Sequence, residues 1–145
     1  MNEYIDMCID EANKALLNDE VPIGCCIVRN NEVLCSSHNT KNETNDSTNH
    51  AEILCIKEAS SIINNWRLID CDMYVTLYPC PMCLSAIRQA RIKNLFYLCD
   101  NSNSEYQIIG EKIATMEDIN PKLNIIKIND DKYDKILKNF YSNKR

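Results

Sequence analysis

The chain has 145 residues, of which 45% are hydrophobic and 26% are charged, and its formal net charge is −5. This length predicts one domain with a single core, and the acidic balance argues against a general nucleic-acid coat, because neutralising phosphates requires clustered Lys and Arg. No apolar run is long enough for a membrane span, and the acidic, amphipathic start is unlike a secretory signal. We therefore expect a single domain over residues 1–145, located in the cytoplasm and not associated with a membrane.

The first half of the chain predicts a helix, a hairpin, a polar loop and a second helix. Helical spacing of apolar residues indicates the two helices, and apolar runs on either side of Asn30-Asn31 indicate the hairpin strands. The polar loop is long enough to suspect a functional role. The predicted elements are a helix over 3–17, strands over 21–30 and 32–38, the loop over 39–49 and a helix over 50–63.

The second half alternates strands with helices, and the chain contains no internal repeat. Connections that hold a helix allow the later strands to run parallel. We therefore expect an α/β fold in which one mixed five-stranded sheet has helices packed on both faces. The predicted elements are strands over 71–77, 94–99 and 123–128, a helix over 81–92, a partly helical stretch over 104–116 and a last helix that opens at Asp130 or Asp131.

Cys80 and Cys83 form a close pair at the start of a predicted helix, with Pro81 at its first position. Such a pair could be a disulfide, a redox pair, half of a structural zinc knuckle or part of a catalytic metal site. The nine cysteines of the chain are odd in number and unevenly spaced, and disulfides are rare in a reducing cytosol. A helix N-terminus also lowers thiol pKa values, which favours presentation of thiolates to a metal.

His50 supplies a third ligand that suits zinc. Two thiolates and an imidazole are ligands that Zn²⁺ prefers, and a fourth position stays available for a water whose pKa would fall to about 7. Glu52 can move a proton between that water and a leaving nitrogen. Each residue has a simpler interpretation: Glu52 could close a capping box with Asn49, and His50 could be a partly buried polar residue. The combined pattern favours one Zn²⁺ per chain.

The stretches "HAE" and "PCPMC" resemble the signature of the zinc-dependent cytidine and adenosine deaminases. More of the chain, from about Glu3 to the C-terminus, resembles one branch, the tRNA-specific adenosine deaminases of the TadA type. The stretches that carry this resemblance are "EVPIGCCIV", "NNEV", "HN", "NHAEI", "WRLID", "YVTLYPCPMC", "ARI" and "LKNFYSNKR". The resemblance implies a three-layer α/β/α sandwich of the cytidine deaminase type.

The resemblance also implies a reaction and a set of roles. The reaction would be the hydrolytic deamination of adenosine to inosine at the wobble position of a tRNA anticodon loop, with a nucleotide flipped out of its stack. The implied zinc ligands are His50, Cys80 and Cys83, with Glu52 as the proton shuttle. The implied substrate-binding residues are Asn39, Val21, the backbone at Ala51, and Asn101. In the last helix, Phe140 and Tyr141 offer rings for stacking while Lys144 and Arg145 offer cations for phosphate; core packing is an equally good interpretation of Phe140.

Members of this branch are dimers that share an RNA-binding surface, so the resemblance implies a homodimer, with a heterodimer as the alternative. A shared surface would reconcile the acidic chain with a polyanionic substrate if basic residues cluster locally. The candidate cluster is Arg67, Arg88, Arg91 and Lys93.

The chain departs from the branch in two places, of which the first concerns packing or loop anchoring and the second concerns substrate choice. Tyr78 stands where the branch usually has Glu, and residues 99–112 replace a turn that is rich in glycine and small residues. A deaminase of a free nucleobase or nucleoside, of the cytosine or guanine type, is therefore the alternative function. A non-catalytic zinc partner subunit is a third possibility, which Glu52 argues against because a structural site needs no such carboxylate.

Overall fold

The computed structural model describes residues 2–143. Among these residues, no helix combines the length and the apolar character that crossing a bilayer demands. The elements are α1 (Asn2–Leu17), β1 (Gly24–Arg29), β2 (Glu32–His38), α2 (Lys41–Thr44), α3 (Ala51–Ile63), β3 (Cys71–Leu77), α4 (Pro81–Gln89), β4 (Asn94–Cys99), α5 (Glu105–Ala114), β5 (Asn124–Lys127) and α6 (Asp134–Asn143).

The five strands form one mixed sheet in the order β2-β1-β3-β4-β5. β1 pairs antiparallel with both β2 and β3, whereas β3, β4 and β5 are parallel. The parallel pairs are connected through α4 and α5, as expected for strands that need a crossover. The carboxyl ends of β3 and β4 therefore meet at one edge of the sheet, where the segment leading into β1 also arrives.

Helices cover both faces of the sheet. Because successive strand residues point to opposite sides, each strand contributes side chains to both helix layers. Cys26, Tyr74 and Phe96 face α1, and the neighbouring cluster joins α1 to α6. On the other face Cys25, Ile27, Met73, Val75 and Leu95 pack against α3, α4 and α5. The predicted three-layer α/β/α arrangement is confirmed.

Several element boundaries differ from the sequence-based expectations for local reasons. β1 begins at Gly24 instead of residue 21, because the Ile23 N–H bonds to the Val21 carbonyl and Pro22 has no N–H to offer a ladder. α4 ends at Gln89 instead of residue 92, and Arg91 adopts a left-handed φ of 69°. The predicted loop over 39–49 contains the short helix α2.

The last helix begins at Asp134 and not at Asp130 or Asp131. The Asp130 side chain accepts a hydrogen bond from the N–H of Lys132 at 2.9 Å. This is an Asx turn, a local alternative that aspartate offers to helix capping. The side chain that suggested a cap is therefore used in the turn before the helix.

Gly24 lets α1 lie directly against β1. A Cβ on Gly24 would fall 1.8 Å from the Cys8 carbonyl oxygen and 2.8 Å from the Ala12 nitrogen, both of which are backbone atoms of α1. Only a residue without a side chain fits here, so this glycine sets the closest approach of the helix to the sheet.

Arg88 belongs to the core and not to an exposed basic cluster, which corrects the sequence-based expectation. Its side chain is 1% exposed. The guanidinium donates to the carbonyl oxygens of Ile113, Met116, Ile119 and Pro121. Arg88 thus ties α4 to the C-terminal end of α5 and to the segment that leads to β5. Buried arginine is acceptable here because its donors are matched by carbonyls.

Candidate active site and metal centre

Two helix N-termini converge at the carboxyl end of β3. His50 is the N-cap of α3, and Cys80 is the N-cap of α4 with Pro81 at the first helical position. Cys83 follows within the first turn of α4, so both sulfurs can face the same point. The positive ends of the two helix dipoles favour negative charge at this point, as a pair of thiolates would supply.

The three side chains have the geometry of a tetrahedral zinc site. The His50 Nδ1 atom lies 3.7 Å from the Cys80 Sγ atom and 3.6 Å from the Cys83 Sγ atom, and all three donor atoms lie within 4.8 Å of one another. Zinc–sulfur and zinc–nitrogen bonds of about 2.3 and 2.1 Å at tetrahedral angles separate the donors by roughly 3.6 Å. The two nitrogen–sulfur separations therefore match those of a zinc site.

The two cysteines differ electrostatically. A hydrogen bond from Cys83, opposed by burial and helped by His50, lowers the pKa of the Cys80 thiol to about 4. The hydrogen bond to Cys80, together with burial, raises the pKa of Cys83. The hydrogen bond with Cys80 raises the pKa of His50. Cys80 is therefore the more acidic thiol of the pair, and a bound cation would favour the ionisation of Cys83.

Glu52 is a buried carboxyl group beside the three donors. Its side chain is 3% exposed, and its Oε1 atom has no hydrogen-bond partner among residues 2–143. Burial raises the pKa of Glu52 to about 7. A buried, unpaired carboxylate oxygen is costly unless it serves a bound group. It is therefore available to a water or a substrate in the site.

The capping-box interpretation of Glu52 does not describe the structure. The His50 N-cap of α3 has no side-chain cap hydrogen bond. Asn49, the other member of that predicted box, donates its side-chain amide to the Thr44 hydroxyl at 2.7 Å. Glu52 therefore points into the protein beside the metal donors and does not close the helix end.

His50, Glu52 and Cys80 open onto one cavity of about 290 Å³. Four of the predicted substrate-binding residues also line it, namely Val21, Asn39, Asn101 and Tyr141. Six residues that sequence reasoning did not assign to substrate binding contribute as well: Ile23, Lys41, Leu77, Tyr78, Pro79 and Tyr106. The cavity therefore combines two of the three candidate metal donors with a carboxyl group, amides and aromatic rings.

Asn39 and Ala51 act as a pair. The Asn39 side-chain oxygen accepts the N–H of Ala51 at 2.8 Å, and Ala51 is fully buried. The N–H of Ala51 is thus used within the protein, and Asn39 is the member of the pair that lines the cavity. This bond fixes the Asn39 side chain against the first turn of α3.

Asn101 ties the loop after β4 to the segment that precedes Cys80. Its side-chain nitrogen donates to the Tyr78 carbonyl at 3.1 Å, and its side-chain oxygen accepts the N–H of Asn103 at 3.0 Å. Both polar ends of Asn101 are therefore engaged in shaping the wall of the cavity.

The two aromatic residues predicted to contact RNA from the last helix line different cavities. Tyr141 lines the cavity, whereas Phe140 lines a separate groove with Leu16 of α1. The two rings nevertheless meet edge to face, with their centroids 5.4 Å apart. The roles of Phe140 in stacking or in packing both stay predictions. Lys144 and Arg145, predicted to contact phosphate, lie outside the described residues.

A buried carboxylate fixes the loop that carries Asn39 and Lys41. Glu20 is 1% exposed, and its side-chain oxygens accept the N–H groups of Asn42 and Glu43 at 3.1 and 2.8 Å. A remote carboxylate thus caps α2, where negative charge is favourable. Sequence reasoning missed this role because the two partners are more than twenty residues apart.

The remaining basic residues cluster far from the metal donors. The guanidinium carbons of Arg67 and Arg91 lie 4.2 and 5.2 Å from the centre of the Trp66 ring. This cluster follows the C-terminal end of α3, whose 13 residues span about 20 Å from the end that holds His50. Any phosphate contact here would therefore involve a part of an RNA remote from the reacting nucleotide.

Comparison with known proteins identifies the chain as a deaminase, in keeping with a site whose His50, Cys80 and Cys83 could hold a metal ion. The family model of the MafB19-like deaminases matches residues 1–145. A tRNA-specific adenosine deaminase of Streptococcus pyogenes is 39% identical over 114 residues, which cover 75% of this chain and 72% of that protein. The chain belongs to this deaminase family, together with the tRNA-specific adenosine deaminases.

Solved structures show the same relationship. A structure from a study of A-to-I editing by tRNA:A34 deaminases at the wobble position of transfer RNA has a TM-score of 0.76 and 31% identity, covering 88% of this chain and 98% of that chain. Guanine deaminase from Bacillus subtilis has a TM-score of 0.68 and 22% identity, covering 97% of this chain and 93% of that chain. The second likeness concerns the fold alone. The resemblance drawn from the sequence is confirmed.

Proposed function

We propose that the protein hydrolytically deaminates adenosine to inosine at the wobble position of a tRNA anticodon, as a single zinc-dependent deaminase domain over residues 1–145. One observation carries the proposal: the donor atoms of His50, Cys80 and Cys83 converge beside Glu52, a buried residue whose Oε1 atom has no hydrogen-bond partner among residues 2–143. His50, Cys80 and Glu52 line one cavity. The named relatives support adenosine in tRNA as the substrate.

His50, Cys80 and Cys83 would hold one Zn²⁺ per chain. When bound, zinc supplies Lewis acidity that brings the pKa of a coordinated water near 7. Glu52 accepts a proton from the attacking water and returns it to the leaving amine, and ammonia departs. The raised pKa of Glu52, about 7 from burial, suits a group that must take up and release a proton near neutral pH.

The cavity residues orient the base. Asn39, held by the N–H of Ala51, presents its amide to the nucleoside, while Val21 gives the base an apolar wall. The volume of about 290 Å³ suits one nucleotide and not a folded RNA arm. The target nucleotide therefore leaves its stack to enter, and Tyr141 at the rim offers a ring to an adjoining base.

The proposal extends to assembly and location. A homodimer, with a heterodimer as the alternative, would supply an RNA surface larger than one acidic chain provides, and cytoplasmic tRNA would be the substrate. Light scattering with and without an anticodon stem-loop tests the assembly; a monomer in both samples contradicts it.

A substrate panel tests the proposed activity. Zinc-loaded protein is incubated with anticodon stem-loops that carry adenosine at position 34, with matched stem-loops that carry it elsewhere, and with free adenosine, cytidine and guanine. We expect inosine only at position 34. Turnover of free bases or nucleosides alone would establish the alternative deaminase, and no turnover of any substrate by zinc-loaded protein would indicate a non-catalytic subunit.

A further inference from the structure

Tyr106 and Tyr78 line the cavity, but neither is a candidate zinc ligand or the candidate proton shuttle. We propose that Tyr106 stacks on a base of the bound RNA, and that Tyr78 holds Tyr106 in place by packing into the gap that Gly110 leaves in α5. This inference rests on the proposed function, because it requires a single-stranded RNA segment to enter the cavity.

The Tyr78 side chain packs into the space that Gly110 leaves open in α5. Tyr78 is 3% exposed, and its ring meets the Tyr97 ring edge to face with centroids 4.9 Å apart. A Cβ on Gly110 would lie 2.0 Å from the Tyr78 hydroxyl oxygen and 3.1 Å from its Cζ atom. Because no side chain fits at that distance, the glycine is required by the tyrosine and not by its own backbone conformation.

Tyr78 also connects α5 to the segment that precedes Cys80. Its N–H donates to the Cys99 carbonyl at 2.9 Å, and its carbonyl accepts the side-chain amide of Asn101 at 3.1 Å. Cys80 follows two residues later in the chain. A single residue thus fixes the end of β4, the loop after it and α5 relative to the candidate ligands.

Tyr106 lies four residues before Gly110, so both residues are on the same face of α5. That face meets Tyr78, and Tyr106 lines the same cavity as His50 and Glu52. The Tyr106 ring is partly buried against the main core. An ordered aromatic ring at the wall of a nucleotide-sized cavity is suited to stacking on an unpaired base.

The expected change in Kd follows from the free energy of stacking one base on an aromatic ring. Loss of one base–aromatic stack weakens binding by roughly 5- to 100-fold. Phenylalanine keeps the stack, whereas leucine keeps only apolar bulk. We therefore expect Tyr106→Ala and Tyr106→Leu to raise the Kd for an RNA by this factor and Tyr106→Phe to stay within about threefold of the parent.

The binding experiment uses zinc-loaded protein in a Glu52→Ala background, so that the RNA is not consumed. The probe is an end-labelled anticodon stem-loop with adenosine at position 34, followed by fluorescence anisotropy. Ile108→Ala is the matched control, because Ile108 lies on α5 at 61% exposure and does not line the cavity. In the active background, the same Tyr106 variants should raise KM more than they lower kcat.

A double-mutant cycle tests the positioning role of Tyr78. Alanine normally favours a helix over glycine, but Gly110→Ala meets the Tyr78 hydroxyl and should displace α5, raising the Kd several-fold. Adding Tyr78→Phe removes the hydroxyl and should lower the Kd again. In a Tyr106→Ala background Gly110→Ala should have no further effect on the Kd, because both changes act through one ring.

The outcomes are distinguishable. Failure of the parent protein to bind any stem-loop overturns both the proposed function and this inference. Normal binding by the parent with Kd values for Tyr106→Ala and Ile108→Ala that agree within twofold overturns the inference alone. Equal losses for Tyr106→Phe and Tyr106→Ala overturn stacking, and additive losses for Gly110→Ala and Tyr106→Ala overturn the positioning role of Tyr78.

Discussion

Replacing Arg88 by methionine should destabilise the protein strongly without touching the candidate site. Arg88 is 1% exposed, and its guanidinium donates to four backbone carbonyls between Ile113 and Pro121. Methionine keeps much of the apolar stem but leaves these acceptors unpaired. At roughly 1 kcal/mol for each buried acceptor, the loss is about 4 kcal/mol of the free energy of unfolding.

The assay is thermal and urea unfolding of zinc-loaded protein. A domain of this size loses about 3 °C of Tm for each kcal/mol, so Arg88→Met should lower the Tm by roughly 12 °C. Arg67→Met is the matched control, because this arginine is exposed and stacks on Trp66, and it should cost less than about 1 kcal/mol. Equal Tm losses in the two variants would refute the structural role of Arg88.

The same variant separates a structural role from an RNA-binding role. Measured well below its Tm, Arg88→Met should bind an anticodon stem-loop with the Kd of the parent protein, since a buried guanidinium cannot reach phosphate. A Kd that rises with an unchanged Tm would instead place Arg88 on the RNA surface.

Three further changes test other parts of the structure. Gly24→Ala should lower the free energy of unfolding by more than about 3 kcal/mol in urea, because the new Cβ would lie 1.8 Å from a backbone oxygen of α1. In Glu11, burial opposes but does not overcome the hydrogen bonds from Ser36 and His38, so its pKa is lowered. This stabilisation is fully present above the unfolded-state pKa of the carboxyl group and is lost as pH falls through the lowered folded-state pKa. The Tm difference between the parent and Glu11→Gln should therefore be largest near pH 7 and shrink toward pH 3. Arg91→Glu combined with Lys93→Glu should weaken stem-loop binding and flatten its salt dependence.

Each of these changes has a contradicting result. A normal Tm for Gly24→Ala would mean that α1 does not rest on β1 as described. A Tm difference for Glu11→Gln that is constant with pH would mean that the carboxylate is not stabilised by its partners. An unchanged Kd for the Arg91 and Lys93 double variant at moderate salt would remove that cluster from the RNA surface.

The sequence pattern predicted the layers and grouped His50, Cys80 and Cys83, because both depend on local information. The structure places the three donor atoms within 4.8 Å of one another, and their role as zinc ligands stays a prediction. Helical and alternating spacing fixed the strand and helix types, and His50, Cys80 and Cys83 each stand at a recognisable helix start. The candidate ligands are spaced within short stretches of the chain. The sheet brings these stretches together once β3 and α3 are in place.

The rest depended on contacts between distant residues. Arg88 carries the same charge as Arg91, and only tertiary packing decides that one is buried against carbonyls while the other lies over Trp66. Glu20 caps α2 from another segment, and Tyr78 fits against Gly110 of α5. No periodicity or local motif encodes such pairs.

The most direct test of the account is the conversion of adenosine at position 34 by Glu52→Gln. Glutamine preserves the shape of Glu52 but cannot accept and return a proton, so the variant should still bind one zinc per chain by elemental analysis. Its single-turnover rate on an anticodon stem-loop should fall by roughly 10²- to 10⁴-fold. A variant that keeps its zinc and converts adenosine within tenfold of the parent rate would contradict the assignment of Glu52, and with it the proposed chemistry of this site.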